Sequence, residues 1–228
     1  GRQGIRERAL KEYKEISLYS VRETIYKETH ECTSFRPTLM KGMIDFFGSR
    51  SVLDFSSGWG DRLIGAMAAD IDYYEGIDPN TCLIPGYKAI KEMFSVHSTT
   101  DVRIRSCPFE KCPDLKRTYD LVFTSPPYFD LESYSDDKRQ SIVRYPNVKD
   151  WLNRFLFVAI KKAWGYLNGG GHMVLIINNA RDGPDYVGPM IRYVNSFNDS
   201  RYLGLISYAE KKHWGHKSPQ PMWIWTKK

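Results

Sequence analysis

The chain has 228 residues, 42% of them hydrophobic and 26% charged. That balance belongs to a globular α/β-sized domain and excludes a disordered tail or a collagen-like fibre. Basic residues number 33 and acidic residues 27, for a net charge of +6; residues 201–228, with six basic side chains and Glu210, hold +5 of it.

In chain order, the first thirty residues are charged and helical, with Ile5, Ala9, Tyr13 and Ile16 at helical spacing. A second helix starts near Pro37 and runs through Met40, Met43, Ile44 and Phe47 to a stop at Gly48. Strand and helix then alternate. Ser51–Phe55 reads as strand, Asp61–Ala69 as helix, Tyr73–Ile77 as strand, Leu83–Val96 as helix, and Val102–Arg105 and Tyr119–Thr124 as strands. A long polar stretch, Tyr128–Lys149, follows a strand end, where such loops are usually functional. Asp150 is placed to cap a helix with Leu152, Phe155, Leu156, Ala159 and Ala163 on one face. Asn168-Gly169-Gly170-Gly171 reads as a turn into the strand His172–Asn178, and a helix covers Asp185–Phe197. The last strands, Tyr202–Ala209 and Met222–Thr226, leave no room for a crossover helix and must pair antiparallel. The fold class expected is α/β: a Rossmann-like sheet of about seven strands, mostly parallel with the last strand antiparallel, plus N-terminal helices.

Cys32, Cys82, Cys107 and Cys112 are too few and scattered for a disulfide scaffold, so reduced thiols and an intracellular setting, cytoplasmic or nuclear, are expected. His213 and His216 have ligand-like spacing without an acidic or cysteine partner, and no metal site is expected. No apolar run approaches a membrane span, no signal-peptide pattern opens the chain, and the missing initiator Met fits a piece of a longer protein.

Val52–Arg62 reads as strand, glycine turn and helix. Gly58 and Gly60 let the backbone approach a ligand and take positive φ. Asp78 ends the next strand, 20 residues after Gly58, where a carboxylate can accept both hydroxyls of a ribose. A dinucleotide fingerprint wants a third glycine, and Leu63 stands there; Asp61 at the helix start would repel a diphosphate. S-adenosylmethionine (AdoMet) has no phosphate and carries a sulfonium cation, which Asp54 and nearby carbonyls suit. A turn that merely connects strand to helix is the plainer alternative.

Tyr119–Thr124 runs into Ser125-Pro126-Pro127-Tyr128. Two prolines remove two backbone donors. They leave an acceptor-rich rim, the Ser125 hydroxyl and the flanking carbonyls, beside an aromatic ring. Such a rim receives a planar heterocycle with an exocyclic amine: the amine donates hydrogens and Tyr128 stacks on the ring. An aniline-like amine is a poor nucleophile, so positioning and preorganised acceptors carry the chemistry.

These residues resemble the class I AdoMet-dependent methyltransferases, specifically those that modify adenine N6 or cytosine N4. The resemblance covers roughly Ser34–Lys227, and the domains expected are a helical extension over 1–33 and a methyltransferase domain over 34–228. Asp54–Gly60 resembles the family's AdoMet turn, with Ser56 where an aromatic is usual. Ser125–Tyr128 resembles its catalytic motif. The resemblance implies that Ser34 and Phe35 wrap the methionine end of AdoMet and that the stretch after the third strand, around Cys107 and Phe109, touches adenine. It also implies transfer to DNA in preference to RNA. An RNA base methyltransferase and a methyltransferase-like binding subunit of a larger complex remain alternatives. Little chain is left for target recognition, so a protein partner or a further domain is expected to supply it. Within the chain, Tyr134, Arg139, Arg144 and Tyr145 interleave aromatics with charge in the long loop, and His213 and Lys217 lie in the last hairpin; both groups suit bases and phosphates.

Overall fold

The computed structural model describes residues 2–28, 35–129, 137–180, 183–211 and 217–228. It divides into two compact units, Gly1–Phe35 and Arg36–Lys228. In the first, α1 (Arg2–Tyr13) leads to α2 (Leu18–Glu28). The Ser17 hydroxyl caps α2 by accepting from the Ser20 amide at 3.1 Å. The helical spacing ends at Tyr13, because Ile16 falls in the connection and is exposed.

The second unit opens with α3 (Pro37–Phe47), which stops at Gly48 in the left-handed region (φ +62°). There follow β1 (Ser51–Asp54), α4 (Asp61–Ala68), β2 (Tyr73–Ile77), a 3-10 turn at Thr81–Leu83, α5 (Ile84–Phe94) and β3 (Asp101–Arg105). A 3-10 turn at Phe109–Lys111 leads to β4 (Tyr119–Thr124) and the short helices α6 (Ser141–Arg144) and α7 (Val148–Trp151). A π-helical turn at Leu152–Leu156 joins α7 to α8 (Phe157–Gly165); β5 (Leu167–Ile176), α9 (Val187–Asn195), β6 (Ser200–Lys211) and β7 (Lys217–Lys227) complete the unit.

The seven strands form one sheet in the order β3-β2-β1-β4-β5-β7-β6. β7 runs antiparallel to both neighbours and all other pairs are parallel. The chain proceeds outward from β1 to β2 and β3, then returns to place β4 on β1's other side. That reversal puts the switch point at the carboxyl ends of β1 and β4, the place where sheets of this kind hold ligands. On one face Val122, Met173 and Leu175 pack in a core with Leu156 and Ile160. On the other, α3 and α4 approach so closely that a Cβ on Gly65 would sit 2.4 Å from the Pro37 carbonyl oxygen.

Three boundaries differ from expectation. The Asn168–Gly171 stretch is not a turn: β5 runs through it from Leu167, and a register shift between Tyr119 and Leu121 absorbs the irregularity. Asp150 is not the cap of the long helix; Asn147 caps the start by accepting from the Asp150 amide at 2.8 Å. β6 and β7 are longer than their apolar cores and pair five residues beyond the Ile176–Met222 level, out to Lys211–Lys217.

Candidate active site

The glycine turn is built over a buried ion pair. Asp54, at the end of β1, is fully buried. Its Oδ2 accepts from Arg62 Nε at 2.7 Å and from the Tyr74 hydroxyl at 2.9 Å, and its Oδ1 accepts from Thr124 Oγ1 at 2.8 Å. One carboxylate thus ties β1, β2, β4 and α4 together. Burial alone would lower the Arg62 pKa, but Asp54 outweighs it and the guanidinium is held charged. Arg62 also donates to the Ser56 carbonyl. Asp54 is therefore corrected from an acid facing a ligand's cation to a structural anion already neutralised by Arg62. The sequence offered one clue to Arg62, a charged residue on the buried side of a short helix with Leu63 and Ala66.

Above this pair the turn is internally bonded. The Ser57 amide donates to the Ile77 carbonyl (3.0 Å), the Gly58 amide to Asp78 Oδ2 (3.0 Å) and the Gly60 amide to the Ser57 carbonyl (3.3 Å). Tyr87 of α5 bonds the Ser57 hydroxyl at 2.9 Å and donates to the Gly58 carbonyl. Those amides are not free to cradle a diphosphate. Gly58 (φ +56°) and Gly60 (φ +95°) both require glycine, and a Cβ on Gly60 would meet Ile90 Cδ1 at 2.6 Å. Trp59 between them is half exposed.

Asp78 is different in kind from Asp54. Its partners are the backbone amides of Gly58 and of Asn80 (2.9 Å), with no cation bonded to it among the described residues. Burial raises its pKa, and the two amides counter only part of that. A carboxylate with two amides in place retains lone pairs for two further donors, which a vicinal diol supplies.

At the end of β4 the Ser125 hydroxyl donates to the Ile176 carbonyl of β5 at 3.1 Å. Its one proton is committed, so the oxygen remaining at the rim is an acceptor. Pro126 is buried, and Pro127 and Tyr128 are half buried. Phe129 follows with φ +49°, a strained setting for a bulky residue that costs on the order of 1–3 kcal/mol. Its ring is buried and packs edge-on against Trp151 (5.7 Å), which bonds Ser141 through Nε1 at 3.2 Å. Trp151 adjoins the π-helical turn, a feature common near functional sites. This anchoring of the motif was not legible beforehand.

β5's end is held in the same way. The Trp223 indole donates to the Ile177 carbonyl at 2.9 Å and the Tyr186 hydroxyl to the Asn178 carbonyl at 2.6 Å.

The other expected residues separate. Arg139 bonds Asp137 and reaches Thr81 Oγ1 at 3.3 Å, just past Asp78. Arg144 is corrected: it makes a largely buried ion pair with Glu110 at 2.9 Å and is not presented to a phosphate. Tyr145 is likewise core, under the guanidinium of Arg154. Phe109 stacks on Phe55 with centroids 5.1 Å apart, within the core. Cys107 and Cys112 are joined as a disulfide (Cα–Cα 5.7 Å), against the expectation of reduced thiols, while Cys82 is free and exposed. Ser34, Tyr134 and His213 lie outside the described residues, and Phe35 belongs to the first unit.

The basic C-terminal segment is split by strand direction. Lys211 and Lys217 are opposite each other at the carboxyl edge, whereas Arg201 and Lys227 lie at the far edge. Lys227 is occupied by the carbonyls of Trp164 and Leu167, both at 3.0 Å.

Among the described residues no helix is long and apolar enough to cross a membrane, and no cluster of His, Cys, Asp and Glu could hold a metal ion.

No protein-family model matches the chain, and no curated protein sequence matches it. Solved structures do. TrmN from Thermus thermophilus aligns with a TM-score of 0.59 at 13% identity, over 86% of this chain and 50% of that one. A Listeria monocytogenes protein described as a class I S-adenosylmethionine-dependent methyltransferase gives 0.58 at 14%, over 100% and 68%. An rRNA methylase from Streptococcus thermophilus gives 0.54 at 13%, over 86% and 99%. The chain thus spans half the length of TrmN and nearly all of the rRNA methylase. At such identities the likeness shows the fold: the second unit has the class I methyltransferase architecture.

Proposed function

We propose that the chain transfers a methyl group from AdoMet to the exocyclic amine of a nucleobase, cytosine N4 or adenine N6. The observation that carries this is the Ser125 hydroxyl, whose proton is spent on the Ile176 carbonyl. With two prolines next in sequence, the rim offers acceptors and no backbone donor over Pro126–Pro127. It selects a ligand group that donates, as an amine does. Tyr128 stacks on the base, and the acceptors hold the amine's hydrogens so that its lone pair points at the methyl carbon. They also stabilise the positive charge that develops on nitrogen as the N–C bond forms and the C–S bond breaks to leave a neutral thioether, and that charge is discharged when the amine gives one proton to solvent. Asp78 and the bonded turn at Gly58–Gly60 fit the ribose and the close approach of AdoMet, which supplies an electrophilic methyl group when bound. Asp54 holds Thr124, the residue before the motif, and so keeps the turn and Ser125 in fixed relation.

The reading assigns residues 34–228 to catalysis and residues 1–33 to a helical extension. DNA is favoured by the motif's resemblance. RNA is the second reading, favoured by the fold shared with an rRNA methylase. Target recognition is assigned to a partner or further domain, with Arg139 and Lys217 as the chain's own contributions.

The test is nucleoside mass spectrometry after incubation with labelled AdoMet and single- or double-stranded DNA or RNA. A methylated exocyclic amine is expected. Ser125→Ala and Tyr128→Ala should each lower turnover by about a hundredfold, the scale of losing one preorganised contact to developing charge, with AdoMet binding kept. Full turnover in both variants would sink the assignment.

A further inference from the structure

β6 ends the sheet. It pairs with β7 on its inner side and has no strand on its outer side among the described residues. Open edges are ordinarily blunted by charges or proline. Residues 202–209 contain neither, and Tyr202, Leu203, Leu205 and Ile206 are between 38% and 49% exposed. These side chains are not confined to one face. Tyr202 and Leu205 oppose Trp225 and Trp223, while Gly204 and Ile206 oppose Ile224 and Met222, the other face of the sheet. Leu203 is the extra residue of a bulge between Tyr202 and Gly204. What is exposed is therefore the edge itself.

We propose that this edge is where two copies of the chain join: β6 pairs antiparallel with β6 of a second copy, across a two-fold axis at Ile206. A two-fold axis normal to the sheet keeps each residue on its own face, so opposed residues must share a face. With Leu203 set aside as the bulge, pairing about Ile206 meets that condition along the strand. Leu205 falls opposite Ser207, and Tyr202 opposite Ala209. Gly204 falls opposite Tyr208, an arrangement in which an aromatic covers an edge glycine. Arg201 falls opposite Glu210, once at each end. Arg201 is exposed and makes no ion pair among the described residues, and this pairing sets an acidic position of the partner strand opposite it. Pairing one residue earlier, about Leu205, sets Arg201 opposite Tyr208 and gives it no opposite charge. The charge pattern thus selects the partner, a second copy, and the register. The inference rests on β6 and not on the methyl-transfer reading.

The test uses the full chain. Sedimentation velocity should give twice the 26.5 kDa monomer mass. Arg201→Glu should weaken dimerisation by about tenfold or more, as loss of close interfacial charge pairs does; Arg201→Glu with Glu210→Arg should restore it. In a Cys32→Ser, Cys82→Ser background, Ile206→Cys should cross-link to its own copy on mild oxidation, since opposed residues lie about 4.5–5.5 Å apart at Cβ, and Ser200→Cys should not. Circular dichroism confirms that the variants are folded. A chain that stays monomeric at about 100-fold the concentration typical of micromolar association, a charge swap that fails to restore the dimer, or equal cross-linking at both positions would overturn the proposal.

Discussion

Asp54 and Asp78 terminate neighbouring strands about the same glycine turn, and their surroundings differ in one respect that matters. Asp54 has a cation 2.7 Å away and three side-chain donors on its two oxygens. Asp78 has two backbone amides and, among the described residues, no bonded cation. The first is a closed unit in which charge cancels charge, and it serves the fold. The second remains an anion with unfilled lone pairs just past the end of β2, and it can serve a ligand. A carboxylate's place at a strand end does not decide its role; its counter-charge does.

Removing the counter-charge is the strongest way to break this comparison. Arg62→Ala leaves Asp54 buried and unpaired, and the expected loss is about 3–5 kcal/mol of stability. It would be read as a lower urea midpoint at unchanged m-value. A loss below about 1 kcal/mol would mean that Tyr74 and Thr124 suffice and that Asp54 is not distinguished by Arg62.

Asp78→Asn should do the converse. Stability is expected to move by less than about 1 kcal/mol, because only backbone amides are rearranged. AdoMet affinity is expected to fall about tenfold, close to 1.4 kcal/mol, in calorimetry. The pH dependence follows from burial, which holds the Asp78 pKa above its usual 3.8. A carboxyl whose folded pKa is raised favours folding fully below its unfolded pKa, and that contribution is lost as pH rises through the folded pKa. Ligand affinity runs the other way, because the ribose needs the anion. It should begin to fall at a higher pH than an ordinary aspartate would give, and the asparagine variant should be flat. An unchanged affinity would remove Asp78 from the site.

The seven-stranded sheet, mostly parallel with its last strand antiparallel, was legible in the sequence because alternating strand and helix signals admit few topologies; its strand order was not. The placing of Gly58, Gly60, Asp78 and Ser125–Tyr128 just past the ends of β1, β2 and β4 was legible because turns there need particular residue types. Arg144 and Tyr145 were misread for a definite reason. In a polar loop an arginine and a tyrosine look solvent-facing, and nothing local reveals that Glu110, 34 residues earlier, draws Arg144 inward. Arg62 was missed by the same logic, since its partner lies across the turn. Glycines 169–171 signalled a turn and became a bulge within β5, because Leu167 and His172 on either side pair with Tyr119 and Leu121 while Asn168 bonds Asp120 and Thr226 bonds the Gly171 carbonyl. Partners distant in sequence decide these cases.

A third titrating group tests the counter-charge rule with its sign reversed. His172 lies on β5, half buried, its ring stacked on Phe47 at 4.1 Å. Burial, and then the like charge of Arg201, lower its pKa below 6.5. The folded protein therefore holds the ring neutral, while the unfolded chain takes up a proton at higher pH. Its contribution to stability is whole above the unfolded value and is lost as pH falls through the depressed one. Stability measured by urea unfolding should decline below about pH 6.5, by less than Arg62→Ala produces. His172→Phe keeps the stacked ring and should remove that slope. Arg201→Glu replaces a like charge with an opposite one and should shallow it. If the slope survives in both variants, it comes from another group, and the rule drawn from Asp54 and Asp78 does not reach this end of the sheet.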